Sequence, residues 1–237
     1  QYPTAELVED DDYNIFSPTG KVLGGYIQLE KFPLFPLKTY RQQESDPQSA
    51  FLNVFAKLPK GESAAMQVIV RPVKDSWKKR GRKFVEAMHA GAKIKDAVKG
   101  KKPGKNKEGV SEMRKLSSRE EEMLKQVEEK MSKAALQVNI RIVSSASSFS
   151  AAQTIFNSIL NSFAQFNVYE YGNSFEKELI RLWRFIPDFI HRHFSSRHSV
   201  ILSVEELAGL WHAPSPDNDM ITVDWVDARK GGAPANV

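Results

Sequence analysis

The stretch "LQVNIRIV" at residues 136–143 decides the reading of the fold. Val138, Ile140 and Ile142 alternate with Gln137, Asn139 and Arg141, the period-two pattern of a strand with one apolar and one polar face. "MQVIVRPV" at 66–73 repeats it, with Met66, Val68 and Val70 on one face and Gln67, Ile69 and Arg71 on the other. Pro72 there marks an edge position or the end of the strand, because proline has no N–H to give a ladder. One-sided strands argue for an antiparallel sheet with helices on a single side. A doubly wound parallel sheet would want strands apolar on both faces.

Outward from these two strands, "VLGGYIQLEK" at 22–31 reads as a strand with a glycine bend, "VYEYG" at 168–172 as a short strand and "HSVILS" at 198–203 as a final one. Helical patterns lie between them. Asp46-Pro47 supplies an N-cap and a pre-set first helical residue for the stripe Phe51, Leu52, Val54, Phe55 and Leu58. A basic helix runs from Ser76 to about His89, and "SSREEEMLKQVEEKMSKAA" places its acids at the helix start, where the dipole favours them. Ile155, Phe156, Ile159, Leu160, Phe163 and Phe166 form a broad apolar stripe, and "FEKELIRLWRFIPDFIHRHF" is a long amphipathic pattern with Pro187 as its break or kink. Residues 91–117, rich in Lys and Gly with little apolar period, read as a flexible basic insertion. The expected fold is α+β: an antiparallel or mixed sheet with helices mainly on one face, in a split βαβ, ferredoxin-like arrangement. One domain spans 1–213, and 214–237 is a linker.

An apolar share of 41% suffices for a core in 237 residues, and the absence of Cys excludes a disulfide framework and a Cys-based zinc site. No apolar run approaches the roughly 18 to 20 residues of a membrane span. The start, "QYPTAELVEDDDYN", has neither the basic nor the apolar region of a signal peptide. The net charge of +5 hides an asymmetry: residues 74–107 hold thirteen Lys/Arg against Asp75, Glu86 and Asp96, a local balance of +10, so the rest carries −5. A patch of that kind matters for polyanions.

"GKNKEGVS" at 104–111 has the glycine spacing of a phosphate-binding loop, but Val110 stands at the lysine position and no buried strand precedes it. It reads as a Lys/Gly-rich loop. His191 and His193 point about 200° apart on a helix, so with His198 they read as a polar helix end rather than a metal site. The serines of "SSASSFS" lack a nucleophile elbow and read as caps. No cofactor or catalytic constellation emerges. The basic run is different: Lys78, Lys79, Arg80, Arg82 and Lys83 cluster between Trp77 and Phe84. Clustered cations suit nucleic-acid phosphates or an anionic lipid surface, whereas the two aromatics, seven apart, face the core.

"LSVEELAGLWHAPSP" at 202–216 is a capped turn stopped almost at once. Ser203 and Glu206 have capping-box spacing, and Leu207, Leu210 and Trp211 share one face before Pro214 and Pro216 end the helix. It reads as a seam that closes the domain, with Leu207, Leu210 and Trp211 as buried anchors and His212 satisfying a backbone group.

Four stretches together resemble one family. "DPQSAFLNVFAKLPKGESAAMQVIVRPVKDSWKKRG" is similar to its Asp-Pro helix, L-x-x-G-E turn, strand and W-x-x-x-G. "LQVNIRIV" with "FNSILNSFAQFN" resembles its second strand and its helix ending F-x-x-F, and "LSVEELAGLWHAP" resembles its motif L-S/T-x-E-E-L-A-x-L-(aromatic)-H-x-P. The family is the N-terminal domain that precedes the motor in conjugation-type, HerA/FtsK-class DNA-pumping ATPases. The resemblance implies a non-catalytic accessory domain for a type IV secretion-like motor that follows residue 237. It implies homo-oligomers formed through that motor, and a cytoplasmic position at the inner membrane face set by segments outside this chain. It transfers no catalytic residues. The alternative expectation is a stand-alone nucleic-acid-binding protein that uses residues 74–107.

Overall fold

The computed structural model describes residues 14–16, 19–101, 114–169 and 171–212. Its strands are β1 (Lys21–Leu29), β2 (Ser63–Pro72), β3 (Ala135–Ala146), β4 (Phe175–Leu179) and β5 (Val200–Ser203). Its helices are α1 (Gln48–Ala56), α2 (Ser76–His89), α3 (Ile94–Val98), α4 (Ser118–Ser132), α5 (Phe149–Ser162), α6 (Leu182–Ile190) and α7 (Val204–Leu210). The fold is α+β, and every strand pair is antiparallel. The order is β2-β3-β1-β4, with β5 beside β3. β3 is long enough to hold both β1, opposite residues 140–146, and β5, opposite residues 135–138, on one flank. The chain crosses from β1 through α1 to β2, and from β3 through α5 to β4, so two crossover units interleave.

The apolar face of β3 behaves as its alternation dictates. Val138, Ile140 and Ile142 pack with Ile155, Phe156 and Ile159 of α5 and with Phe51 of α1, all buried. Asp46 starts α1 by accepting from the Gln48 N–H at 2.8 Å, as the Asp-Pro pair predicts. Ser117 with Glu120 caps α4, and Ser148 caps α5 by accepting from Ala151 N–H.

The polar face is covered as well. α6 lies over it, and the side chains that the alternation exposes become ties to the segment that follows the helix. Gln67 donates to Phe189 O, Asn139 donates to Ser195 O and His198 O, and Arg141 donates to Asp188 O and His193 O. Arg141 is fully buried. Burying an ion costs several kcal/mol; here carbonyls at and just beyond the C-terminal end of α6, the negative end of its dipole, offset that cost.

Three local expectations are corrected. Gly24 and Gly25 make no bend: β1 is continuous, and a Cβ on Gly24 would stand 2.4 Å from the ring of Phe185, so the missing side chain seats α6 on the sheet. Residues 168, 169, 171 and 172 are not in a strand; β4 lies at Phe175–Leu179, the first part of the stretch read as one long helix, where it pairs along the free edge of β1. Residues 91–101 are not a flexible insertion. Ala92 and Ala97 are buried with Phe84, Met88 and Leu124, and α3 forms there because two alanines and flanking apolar residues fit under α2 and α4. Residues 102–113, which contain "GKNKEGVS", and 213–237, the expected linker, lie outside the described residues.

Candidate functional site

α2 begins at Ser76 and buries one stripe: Trp77, Gly81, Phe84, Val85 and Met88. Trp77 and Phe84 face the core, so neither is available to stack on a base. The sequence makes this inevitable, since 77, 81, 84, 85 and 88 fall on one side of a 3.6-residue helix. Lys79, Arg82 and Lys83 project from the opposite, exposed side, and Lys78 is half-buried at its margin. A Cβ on Gly81 would meet Met131 Sδ at 2.0 Å, so this glycine lets α2 lie close against α4. Among the described residues, Lys74, Lys78, Lys79, Arg80, Arg82 and Lys83 make no ion pair, so the cations along α2 are uncompensated.

Arg80 leaves the ridge. Its guanidinium lies 4.6 Å from the centroid of the Phe32 ring and lines a cleft of about 420 Å³. Arg71 and Lys74 line the same cleft, over an apolar floor that includes Phe32, Trp77 and Ile201. Arg71 is held in place: its Nε donates to Gln137 Oε1 and its Nη2 to Ser196 Oγ, both at 2.9 Å, and its guanidinium stacks 3.9 Å from the Phe194 ring. Among the described residues, no carboxylate lines this cleft. Ridge and cleft together make one cationic surface, in which Arg71 and Arg80 are held against aromatic rings. Residue spacing alone points to the ridge. It misses Arg71, whose place in the cleft depends on the distant Phe194 and Ser196, although an Arg at the end of an edge strand is the visible hint.

The closing turn is built as its capping box requires. Ser203 Oγ accepts from Glu206 N–H at 3.3 Å, and Glu206 Oε2 accepts from Ser203 N–H at 2.8 Å. Glu206 does more than cap. Its Oε1 accepts from Leu37 N–H at 2.9 Å, and its Oε2 pairs with Lys130 Nζ at 3.0 Å, both side chains at most 3% exposed. One carboxylate thereby joins α7, the loop before α1, and α4. Leu210 is buried and Leu207 partly so. Leu210 O accepts from Gln48 Nε2 at 2.7 Å, and His212 bridges Ala208 O and Asp46 Oδ1, each at 2.9 Å.

Trp211 departs from the expected anchor: it is 60% exposed. The helix ends one residue before it, and its backbone is extended at φ −143°, ψ 121°. The Trp211 N–H still closes the last turn by donating to Leu207 O at 2.8 Å, but the extended backbone at Trp211 leaves its ring in solvent.

Among the described residues no group of His, Asp and Glu is arranged to hold a metal ion, and no helix is long and apolar enough to cross a membrane. A family model described as a domain of unknown function, DUF8128, matches residues 1–226. No curated protein and no solved structure matches the chain.

Proposed function

From the premise that the chain belongs to the DUF8128 family, we propose that it is a non-catalytic accessory domain of a DNA-translocating, type IV secretion-like ATPase and holds nucleic acid by its phosphates. The observation that carries the DNA contact is the row of cations on α2 without acidic partners, continuous with the carboxylate-free cleft of Arg71, Lys74 and Arg80. Cations that no internal acid neutralises release counterions from a phosphate backbone at little desolvation cost. The buried aromatics leave no platform for bases, so the contact is independent of sequence. The link to a motor rests on the order of the family-like motifs between residues 46 and 214 and on the closing turn, whose Glu206 ties lock the last described helix to the body. The interleaved crossovers support reading the core as ferredoxin-like.

The test is a duplex-DNA titration at several salt concentrations. Wild type should show a log–log slope near −0.9 per neutralised phosphate. Replacing Lys78, Lys79, Arg80, Arg82 and Lys83 with Gln should flatten that slope and leave the unfolding midpoint nearly unchanged, since exposed charges add little stability. Equal slopes in both proteins, or binding to anionic vesicles with none to DNA, would overturn the reading. The coding sequence beyond residue 237 separates the motor-linked role from a stand-alone binder: a Walker motif supports the first, an immediate stop the second.

A further inference from the structure

We propose that the cleft where β4, the start of α6 and residues 195–198 meet binds a small organic phosphomonoester as its dianion. The cleft holds about 290 Å³. Arg181, Arg184 and Arg197 line it, and none of them makes an ion pair among the described residues. Arg184 is steadied by the Trp183 ring, 4.6 Å from its guanidinium.

Two carboxylates also line the cleft, and both are engaged. Glu178 Oε2 lies 2.9 Å from His198 Nδ1. Asp188 Oδ2 accepts from the Tyr26 hydroxyl at 3.4 Å, and Asp188 Oδ1 lies 3.5 Å from His193 Nδ1. Beneath the floor, the buried guanidinium of Arg141 sits 5.0 Å from the Tyr26 ring centroid with carbonyls and an amide, not a carboxylate, as its partners. Three guanidiniums therefore line the cleft against two carboxylates, with Arg141 buried behind Tyr26. The lining keeps one net positive charge, and the buried charge of Arg141 lies close behind it. A phosphomonoester near neutral pH carries close to two negative charges, and the guanidinium fork matches phosphate oxygens.

His198 completes the wall. It is held by Glu178 on one side and by stacking on Tyr26, 4.6 Å between centroids, and its Nε2 has no partner among the described residues. That nitrogen is a fixed polar group left for a ligand oxygen. Leu179, Ile180 and Phe185 give the carbon part of the ligand an apolar side. A volume just under the usual range for drug-sized ligands, about 300–1,000 Å³, selects a small molecule over a polymer. The site shares no cation with α2, so it stands or falls apart from the DNA contact.

The experiment is an NMR titration of the full chain, following the His198 imidazole and the arginine Nε–H resonances. Inorganic phosphate, glycerol 1-phosphate and the monoanionic diester dimethyl phosphate are the probes. Saturable shifts with both dianions are expected, tighter for glycerol 1-phosphate, with at least about tenfold weaker binding in the Arg184→Gln, Arg197→Gln double variant. Arg197→Gln alone serves if the double variant unfolds, and the five-site α2 variant should bind as wild type does. Absence of a saturable shift, equal binding of dimethyl phosphate, inorganic phosphate matching the ester, or undiminished binding in the arginine variants would each overturn the proposal.

Discussion

Glu206 and Trp211 stand five residues apart in one motif and play opposite parts. Glu206 satisfies two backbone amides and the buried ammonium of Lys130. Glu206→Gln leaves that ammonium without its charge partner, so the protein should lose about 3–5 kcal/mol in a urea unfolding series. Trp211→Ala should change the midpoint by no more than about 0.5 kcal/mol, because the ring is mostly in water. A large loss for Trp211→Ala with none for Glu206→Gln would reverse the assignment. The carboxylate's role was half legible: the Ser-x-x-Glu spacing announces a cap, but a side chain's second and third partners lie 169 and 76 positions away and leave no local trace. Glu120, which caps α4 in the same manner, carries a pH signature. The Ser117 backbone amide and Arg114 hold its carboxyl below the usual value, against the opposing effect of burial. A depressed folded value means that its stabilisation is present above the unfolded pKa, about 4.3, and is lost as pH falls through the folded one. Glu120→Gln should therefore make the acid side of the stability–pH curve shallower, measured by midpoints between about pH 2 and 6; an unchanged acid limb would remove this residue from the acid response.

α6 is held from both ends of its chemistry, by a ring against a bare backbone and by polar ties from the sheet. Gly24→Ala places a methyl where the edge of Phe185 now sits, and overpacking of this kind costs about 1–3 kcal/mol. The loss should appear with a change in Trp183 fluorescence, since Trp183 belongs to the displaced helix; a silent fluorescence change would mean that the sheet, not α6, absorbs the strain. β2, β3, α1, α2, α4 and α5 were legible because apolar residues recur in each at the period of its element, two in a strand and about 3.6 in a helix. The rest was illegible for a physical reason. Gln67, Asn139 and Arg141 look like a solvated face because their partners are backbone carbonyls, which are the same for every residue. β4, with Glu176, Lys177 and Glu178 in five residues, carries almost no apolar period, and an edge strand needs little. The cationic ridge was visible as a run of residue types; its cleft was not, because Phe32, Arg71 and Ser196 come from three distant segments.

At the scale of the molecule, a small apolar cluster of Tyr26, Val143 and Phe185 lies under α6, and two larger cores lie side by side: one between the sheet and α1 with α5, the other among α2, α3, α4 and the 32–35 loop. The Glu206–Lys130 pair is a buried bond between them. Hydrogen exchange on Glu206→Gln should show α4 amides losing protection before those of β3; uniform loss would mean that the two cores open as one unit. The strand order carries a further consequence, for the nascent chain. Among the described residues β1 pairs only with β3 and β4, so Ile27 waits for Ile140, more than a hundred residues downstream. At synthesis rates of about 5–20 residues per second, that is on the order of 6–20 s during which an apolar strand has been made and has nothing to pair with. Ribosomes arrested before residue 135 should thus carry a β1 open to chaperone crosslinking, and arrest far enough past residue 146 for β3 to clear the exit tunnel should close it.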